Sequence, residues 1–287
     1  MGDPRSRGTR LWGARGDGIR SLYDRTSVTS AKGRPLREPP AEEEHEHAGP
    51  DGPGCGGDRS RERYRARHRA WAAFGRIDIL VNNAGVFPPL SPLVDAREED
   101  VRWVFDVNVM GVWNGCSVFG RRFVDQGSPA HIVNTGSENS LGMAHTGAAA
   151  YTASKHAVLG LSDVLRHELP DHVGVSIVCP GMVATRLGSA TRNRPARYGG
   201  PPAEAAVPAS GFGMDPDEVG RLTVEGVRRG DFYIVTHPPV RDIVSERCEE
   251  ILGAFDTYAP RFDGDHRLDT RAVMRRMEER GRTGPQA

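Results

Sequence analysis

The sequence predicts an α/β fold in which a doubly wound parallel sheet carries helices on both faces. Three observations favour this class. Short apolar strands alternate with longer helical segments, the strands are almost wholly apolar, and most of them end in Asn, Gly, Ser or Pro. Such strands are typical of parallel sheets that are buried on both faces. Because ligands of these sheets bind at the carboxyl ends of the strands, the polar strand ends mark the expected site.

The predicted elements lie between residues 71 and 287. Four segments read as strands: RIDILVNNAG (76–85), AHIVNTGS (130–137), VGVSIVCPG (173–181) and DFYIVTH (231–237). Helical spacing of apolar residues covers 97–127 and 149–170, and the second helix stops at Pro170. An Asp cap, a following Pro and a terminal Gly predict a helix over 215–230.

Residues 1–70 differ sharply in composition from the rest of the chain. They contain only five Leu, Ile or Val residues but fourteen Arg residues. A segment so poor in apolar side chains cannot offset its ordering entropy by burial. The segment is therefore predicted to be mostly disordered, and residues 71–287 are predicted to form the folded domain.

Composition excludes several other classes. The formal net charge is zero and the four cysteines form no CxxC pair, so neither a nucleic-acid partner, a metal site nor a disulfide framework is predicted. No apolar run approaches the roughly 20 residues of a membrane helix, and the N-terminus lacks the apolar core of a secretory signal. The expected setting is cytoplasmic, without a membrane partner.

The segment AAYTASKHAVLG (149–160) places a phenol and an ammonium on one helix face, because Tyr151 and Lys155 are four residues apart. A free Tyr, with a pKa of about 10, is a poor base at neutral pH. A nearby ammonium is expected to lower that pKa, which would make Tyr151 a plausible acid and base for a hydroxyl or carbonyl. Ser137, at the preceding strand end, could hold the substrate oxygen.

Five motifs occur in order along this half of the chain: NNAG (82–85), DVNVMG (106–111), IVNTGS (132–137), YTASK (151–155) and PGMVAT (180–185). With them the sequence resembles the short-chain dehydrogenase/reductase family. The resemblance implies a Rossmann-like fold, an NAD or NADP cofactor, an alcohol or carbonyl substrate, and a homo-oligomer, either dimer or tetramer.

The resemblance also implies roles for individual residues. Tyr151 would exchange a proton with the substrate oxygen while hydride moves to or from the nicotinamide. Lys155 would lower the Tyr pKa and bind the nicotinamide ribose, Ser137 would orient the substrate, and Asn108 would hold a water relay. The cofactor-binding positions implied are Asn82, Ala84, Gly85, Tyr151, Lys155, Pro180, Gly181, Val183 and Thr185.

The identity of the serine stays open at this point. Ser137 lies fourteen residues before Tyr151, whereas thirteen is common in the family, and that spacing would point to Glu138. The Gly-Ser pair at a strand end favours Ser137, and Ser140 is the alternative.

The first 70 residues depart from the family pattern. The expected T-G-x-x-x-G-x-G turn is missing, and GPGCGG (52–57) follows an acidic stretch that cannot be a buried strand. Because the length suits the missing elements, one hypothesis is an out-of-frame translation of a normal nucleotide-binding half. A natural disordered extension is the alternative.

Two function classes follow from this departure. The first is an NAD(P)-dependent oxidoreductase, and the second is a catalytically inactive remnant with an oligomerisation or binding role. Without the glycine turn, this chain is expected to bind either dinucleotide weakly, and the choice between NAD and NADP is unreadable. Residues 186–214 occupy the place of the family's substrate lid, and their Gly, Pro and Ala content suggests mobility.

Overall fold

A computed structural model describes residues 75–201 and 212–282 of the chain. The prediction of disorder in residues 1–70, and the two explanations of their composition, lie outside the described residues. So does the central part of the predicted lid.

The sheet has four parallel strands in the order in which they occur along the chain. They are β1 (Ile79–Asn82), β2 (Ala130–Thr135), β3 (Val173–Cys179) and β4 (Tyr233–Val235). In the register, Leu80 lies opposite Ile132, and Ile132 lies opposite Val175. The predicted α/β class with a parallel, Rossmann-like sheet is confirmed. Within the described part of the chain, β1 pairs with β2 alone.

Four helices accompany this sheet: α1 (Glu98–Asn108), α2 (Met110–Gln126), α3 (Ala149–Glu168) and α4 (Pro216–Arg229). The predictions for α3 and α4 are confirmed, and Asp215 caps α4 by accepting a hydrogen bond from the Asp217 amide. The helical spacing over 97–127 belongs to two helices, since the regular pattern breaks at Val109. The break is local, because Val109 still donates to the Phe105 carbonyl and accepts from the Trp113 amide.

Apolar side chains cover the sheet on both faces. On one face, Phe119 from α2 and Val158 from α3 pack with the strand residues Leu80, Ile132 and Ile177. On the other face, a second core includes Val219 and Val227 of α4 with Val133, Val178 and Ile234. Alternate residues of β1, β2 and β3 therefore enter opposite cores, as a sheet covered on both sides requires.

The segment after β3 contains short 3-10 turns at Leu187–Asn193 and Ala196–Tyr198. Arg194 ties it to α1 through a buried ion pair with Asp100, at 2.6 Å between Nη1 and Oδ1. The Tyr198 hydroxyl donates to the Asp106 carboxylate on the same helix. This part of the predicted lid is thus anchored against α1.

The second sheet face buries an imidazole. His131 of β2 is 5% exposed, and its Nε2 lies 2.7 Å from the Ser176 hydroxyl, which donates to the Asp231 carbonyl at 2.6 Å. Because that hydroxyl proton is already used, Nε2 must be the donor to Ser176. On the other side of the ring, a Cβ on Gly174 would stand 2.3 Å from Nδ1, so only glycine fits there. Burial lowers the pKa of His131 to about 4.

We expect His131 to make the fold sensitive to acid. The unfolded chain would bind a proton on this residue below pH 6.5, whereas the folded protein keeps it neutral down to about pH 4. Stability should therefore rise with pH between these values, by about 3 kcal/mol at 1.36 kcal/mol per pKa unit. Urea unfolding across pH 4–7.5 measures this slope. His131→Gln keeps a donor for Ser176 but does not titrate, so an equal slope in this variant would contradict the assignment.

The described residues from Arg241 onward form a second compact unit. It contains most of α5 (Val240–Tyr258) and all of α6 (Thr270–Arg282). Between the helices, Arg261 pairs with Asp265, and Arg276 of α6 donates to the Arg267 carbonyl. Among the described helices of both units, none has the combination of length and apolar character that crossing a bilayer requires.

Candidate active site

The carboxyl ends of the strands bring the predicted residues to one edge of the sheet. Ser137 follows β2 in extended conformation, and its hydroxyl lies 3.5 Å from the carbonyl oxygen of Pro180, which follows β3. The first turn of α3 carries Tyr151, whose hydroxyl interacts with the Ser137 side chain. The structure therefore joins Ser137 and Tyr151, as the sequence predicted.

Tyr151 is a buried phenol that is 6% exposed. Its ring packs against Phe87, with 4.7 Å between the ring centroids. Burial raises the pKa of Tyr151 to about 12, the hydrogen bond to Ser137 opposes this shift, and the Glu138 carboxylate adds to it. At neutral pH the hydroxyl is thus protonated and suited to donate a proton.

Lys155 lies one helical turn beyond Tyr151 and is 4% exposed. Its ammonium donates to the Thr135 carbonyl at the end of β2, at 2.8 Å, and stands 5.5 Å from the centroid of the Tyr151 ring. Burial lowers the pKa of Lys155 to about 8, and interaction with the Cys179 thiol partly opposes the shift. The net pKa of Tyr151 is nevertheless raised and not lowered, because burial of the phenol dominates.

Asn108 ends α1 behind this pair. Its Oδ1 accepts from the Val86 amide at 2.8 Å, and its Nδ2 donates both to the Val86 carbonyl and to the Ser154 hydroxyl. Ser154 in turn donates to the carbonyl of Tyr151 at 2.7 Å. A Cβ on Gly85 would lie 3.6 Å from Asn108 Oδ1 and 3.8 Å from Lys155 Nζ, so this glycine borders both side chains.

The three candidate positions for the serine have different surroundings. The Ser140 hydroxyl donates to the Lys155 carbonyl at 2.8 Å and lies 3.2 Å from the Ser137 amide, so it caps a short turn. Glu138 faces His145, at 3.3 Å between Oε1 and Nε2. Of the two serines, only Ser137 has a side chain that interacts with the Tyr151 hydroxyl. This contact favours Ser137, whose catalytic role stays a prediction.

Substitution of Ser137 and of Ser140 by alanine distinguishes a catalytic role from a structural one. We expect Ser137→Ala to lower kcat about a hundredfold, as loss of one preorganised donor typically does, with a small change in stability. Ser140→Ala should instead lower the melting temperature, because it leaves the buried Ser137 amide without its acceptor and removes a second donor from the Lys155 carbonyl. Steady-state rates and thermal melts of both variants measure this. A larger rate loss in Ser140→Ala at equal stability would assign the role to Ser140.

The other predicted cofactor residues occupy two loops. After β3, the Pro180 carbonyl accepts from the Glu138 amide, Val183 forms a bridge with Met214, and the Thr185 amide donates to the Val183 carbonyl. After β1, Ala84 is exposed beside Gly85. Both loops border the Tyr151 and Lys155 edge, while cofactor contact at each position stays a prediction.

Asn82 is directed into the core instead. Its amide donates to Asn134 Oδ1 at 2.8 Å and contacts the Cys116 sulfur at 3.5 Å. A Cβ on Gly115 would stand 2.1 Å from Asn82 Oδ1, so glycine allows α2 to approach the strand this closely. Asn82 therefore joins β1, β2 and α2.

Two residues at this edge were not foreseen. Phe87 covers the Tyr151 ring, and His237 contacts the loop after β3 through both ring nitrogens. The position of His237 directly after the apolar strand β4 is a signal that could have marked it, because it repeats the pattern of polar strand ends. Among the described residues there is no cluster of His, Cys, Asp or Glu suited to a metal ion.

Comparison with known proteins agrees with this geometry. A family model described as short chain dehydrogenase matches residues 58–196. The C alpha-dehydrogenase of Sphingobium sp. strain SYK-6 is 30% identical over 218 residues, which are 70% of this chain and 67% of that protein.

Solved structures of similar fold include a member of the same family. A short chain dehydrogenase/reductase from Burkholderia phymatum in complex with NAD is 35% identical, with a TM-score of 0.61 over 66% of this chain and 71% of that one. The apo form of LigO from Sphingobium sp. strain SYK-6 is 31% identical, with a TM-score of 0.56 over 74% and 72% of the two chains.

Proposed function

Since the chain belongs to the short-chain dehydrogenase family of oxidoreductases, we propose that it interconverts an alcohol and a ketone or aldehyde by hydride exchange with NAD or NADP. One observation carries the proposal: the Tyr151 hydroxyl interacts with the Ser137 side chain, and Lys155 lies one turn away at the same sheet edge. The NAD complex of the Burkholderia phymatum relative supports the choice of cofactor class.

The residues at this edge fit the nicotinamide end of such a cofactor. The Lys155 ammonium has three N–H groups, and the bond to Thr135 leaves it able to donate to ribose hydroxyls as well. Gly85 has no side chain beside that ammonium, and Val183 and Thr185 would hold the carboxamide. When bound, the cofactor supplies or accepts the hydride.

The chain's own residues transfer the proton to and from the substrate oxygen. Ser137 and Tyr151 would both hydrogen-bond the substrate oxygen, which fixes its position. In reduction, Tyr151 donates its proton to that oxygen, since the raised pKa keeps the hydroxyl protonated at neutral pH. In oxidation, Tyr151 must accept the proton, and the nearby Lys155 ammonium then stabilises the phenolate. Asn108 holds the loop after β1 against α3 through Val86 and Ser154.

The proposal is tested with the purified full chain. Calorimetric titration with each dinucleotide, followed by reduction of a panel of ketones and aldehydes with NADH and NADPH, should show binding and turnover. Weak binding accompanied by turnover would fit the missing glycine turn of residues 1–70. Absence of both binding and turnover would favour the inactive remnant.

The same proposal includes a small-molecule substrate, a homo-oligomer and a cytoplasmic location. Light scattering of the purified chain measures the oligomeric state, and a monomeric mass would contradict that part.

A further inference from the structure

His237 contacts two consecutive backbone groups of the loop after β3. Its Nδ1 lies 3.0 Å from the Gly181 amide nitrogen, and its Nε2 lies 2.9 Å from the Met182 carbonyl oxygen. The residue follows β4, the neighbour of β3 in the sheet, so the imidazole joins one strand end to the loop of the next.

The partners determine the state of the ring. An amide can only donate and a carbonyl can only accept, so Nδ1 must be the acceptor and Nε2 must carry the proton. The Thr236 hydroxyl, 2.8 Å from Nδ1, can then donate to the same nitrogen. The neutral Nε2–H imidazole is the state that satisfies both loop contacts.

The packing around Gly181 leaves no room for a side chain. A Cβ at this position would stand 2.5 Å from the Glu138 carboxylate and 2.8 Å from two ring carbons of His237. On its other side the loop is held by Met214, whose amide donates to the Met182 carbonyl and whose carbonyl accepts from the Ala184 amide. The segment 181–184 is thus fixed between His237 and Met214.

We propose that His237 is a positioning residue that holds the segment 181–185 in the shape required to bind the nicotinamide end of the cofactor. The inference rests on the proposed function, because Val183 and Thr185 of this segment are the residues assigned to the carboxamide. His237 itself acts through the backbone of Gly181 and Met182 and takes no part in proton or hydride transfer.

Two substitutions separate the contacts. His237→Phe keeps a ring of similar shape but removes both hydrogen bonds. His237→Asn retains an acceptor near the position of Nδ1 for the Gly181 amide but cannot reach the Met182 carbonyl. His167→Asn, on the exposed surface of α3, is the matched control that should resemble the wild type in every measurement.

Hydrogen exchange of the segment 180–185 is measured together with dinucleotide affinity, KM and kcat. His237→Phe should exchange faster in this segment and raise the Kd and KM of the cofactor about tenfold, because the cofactor would then bind to a loop that has lost two of its hydrogen bonds. The kcat should change less than KM. In His237→Asn, the Gly181 amide should stay protected and the affinity loss should be smaller. If His237→Phe does not fold, His237→Asn carries the test.

Each outcome has a distinct meaning. Faster exchange with unchanged Kd and KM would overturn the positioning role while the proposed function stood. Unchanged exchange would overturn the inference at its structural step. If the wild type bound neither dinucleotide, the proposed function would fail and the cofactor role of His237 with it, and the exchange data would still show whether the imidazole holds the loop.

Discussion

Replacement of Tyr151 by Phe is expected to lower the kcat of carbonyl reduction about 10²–10⁴-fold, the usual contribution of a positioned acid or base. The substitution removes one oxygen from a side chain that is 6% exposed and leaves its packing against Phe87 in place. The melting temperature should change little, because the loss is limited to the contact of one hydroxyl with Ser137.

Tyr233→Phe is the matched control. It removes a hydroxyl of the same kind from a residue of β4 that is 49% exposed, and both rate and stability should stay near wild type. Steady-state kinetics at saturating cofactor and thermal melts compare the two variants. A Tyr151→Phe enzyme that keeps more than about a tenth of the wild-type kcat would show that another group transfers the proton.

The strands and the meeting of Ser137 with Tyr151 could be predicted from the sequence because both depend on local patterns. Strands that are apolar on both faces indicate a buried parallel sheet, and the carboxyl ends of parallel strands share one edge. Ser137 at the end of β2 and Tyr151 at the start of α3 therefore had to lie close together. The break at Val109 changes no apolar spacing, so the pattern over 97–127 does not reveal it.

The protonation states could not be predicted in this way. The spacing of Tyr151 and Lys155 correctly placed them on one helix face, but the direction of the Tyr151 pKa shift depends on burial by distant segments. The packing of Phe87 on the phenol and the hydrogen bond of Lys155 to the Thr135 carbonyl arise from residues 20 or more positions away. The role of His237 was not predicted for the same reason, because its partner Gly181 lies 56 residues earlier in the chain.

The buried charge of Lys155 lowers the stability of the fold. Lys32 and Lys155 are the only lysines in the sequence, and every other basic side chain among the 38 is Arg. The folded protein protonates Lys155 below about pH 8, whereas the unfolded chain does so below pH 10.5. Stability should rise with pH between these values, so the buried ammonium disfavours folding by about 3 kcal/mol at neutral pH.

Lys155→Met is therefore expected to separate activity from stability. We expect kcat/KM to fall roughly 10³-fold, because the variant loses both the charge that stabilises the Tyr151 phenolate and the donor assigned to the ribose. The melting temperature should be no lower than that of the wild type. Removal of the buried charge should raise the free energy of unfolding by about 3 kcal/mol. The Thr135 carbonyl left without its donor should lower it by about 1–3 kcal/mol.

The titration of Lys155 can be followed directly. When the lysines are isotopically labelled at Cε, the carbon NMR spectrum contains two lysine signals. Lys32 gives the second signal, which serves as an internal reference. One signal should titrate with a midpoint near pH 8 and should disappear in Lys155→Met. Kinetics and thermal melts of the same variant complete the test. A fall in melting temperature that parallels the loss of activity would contradict this account and make Lys155 a structural residue, because it would show that the side chain stabilises the fold.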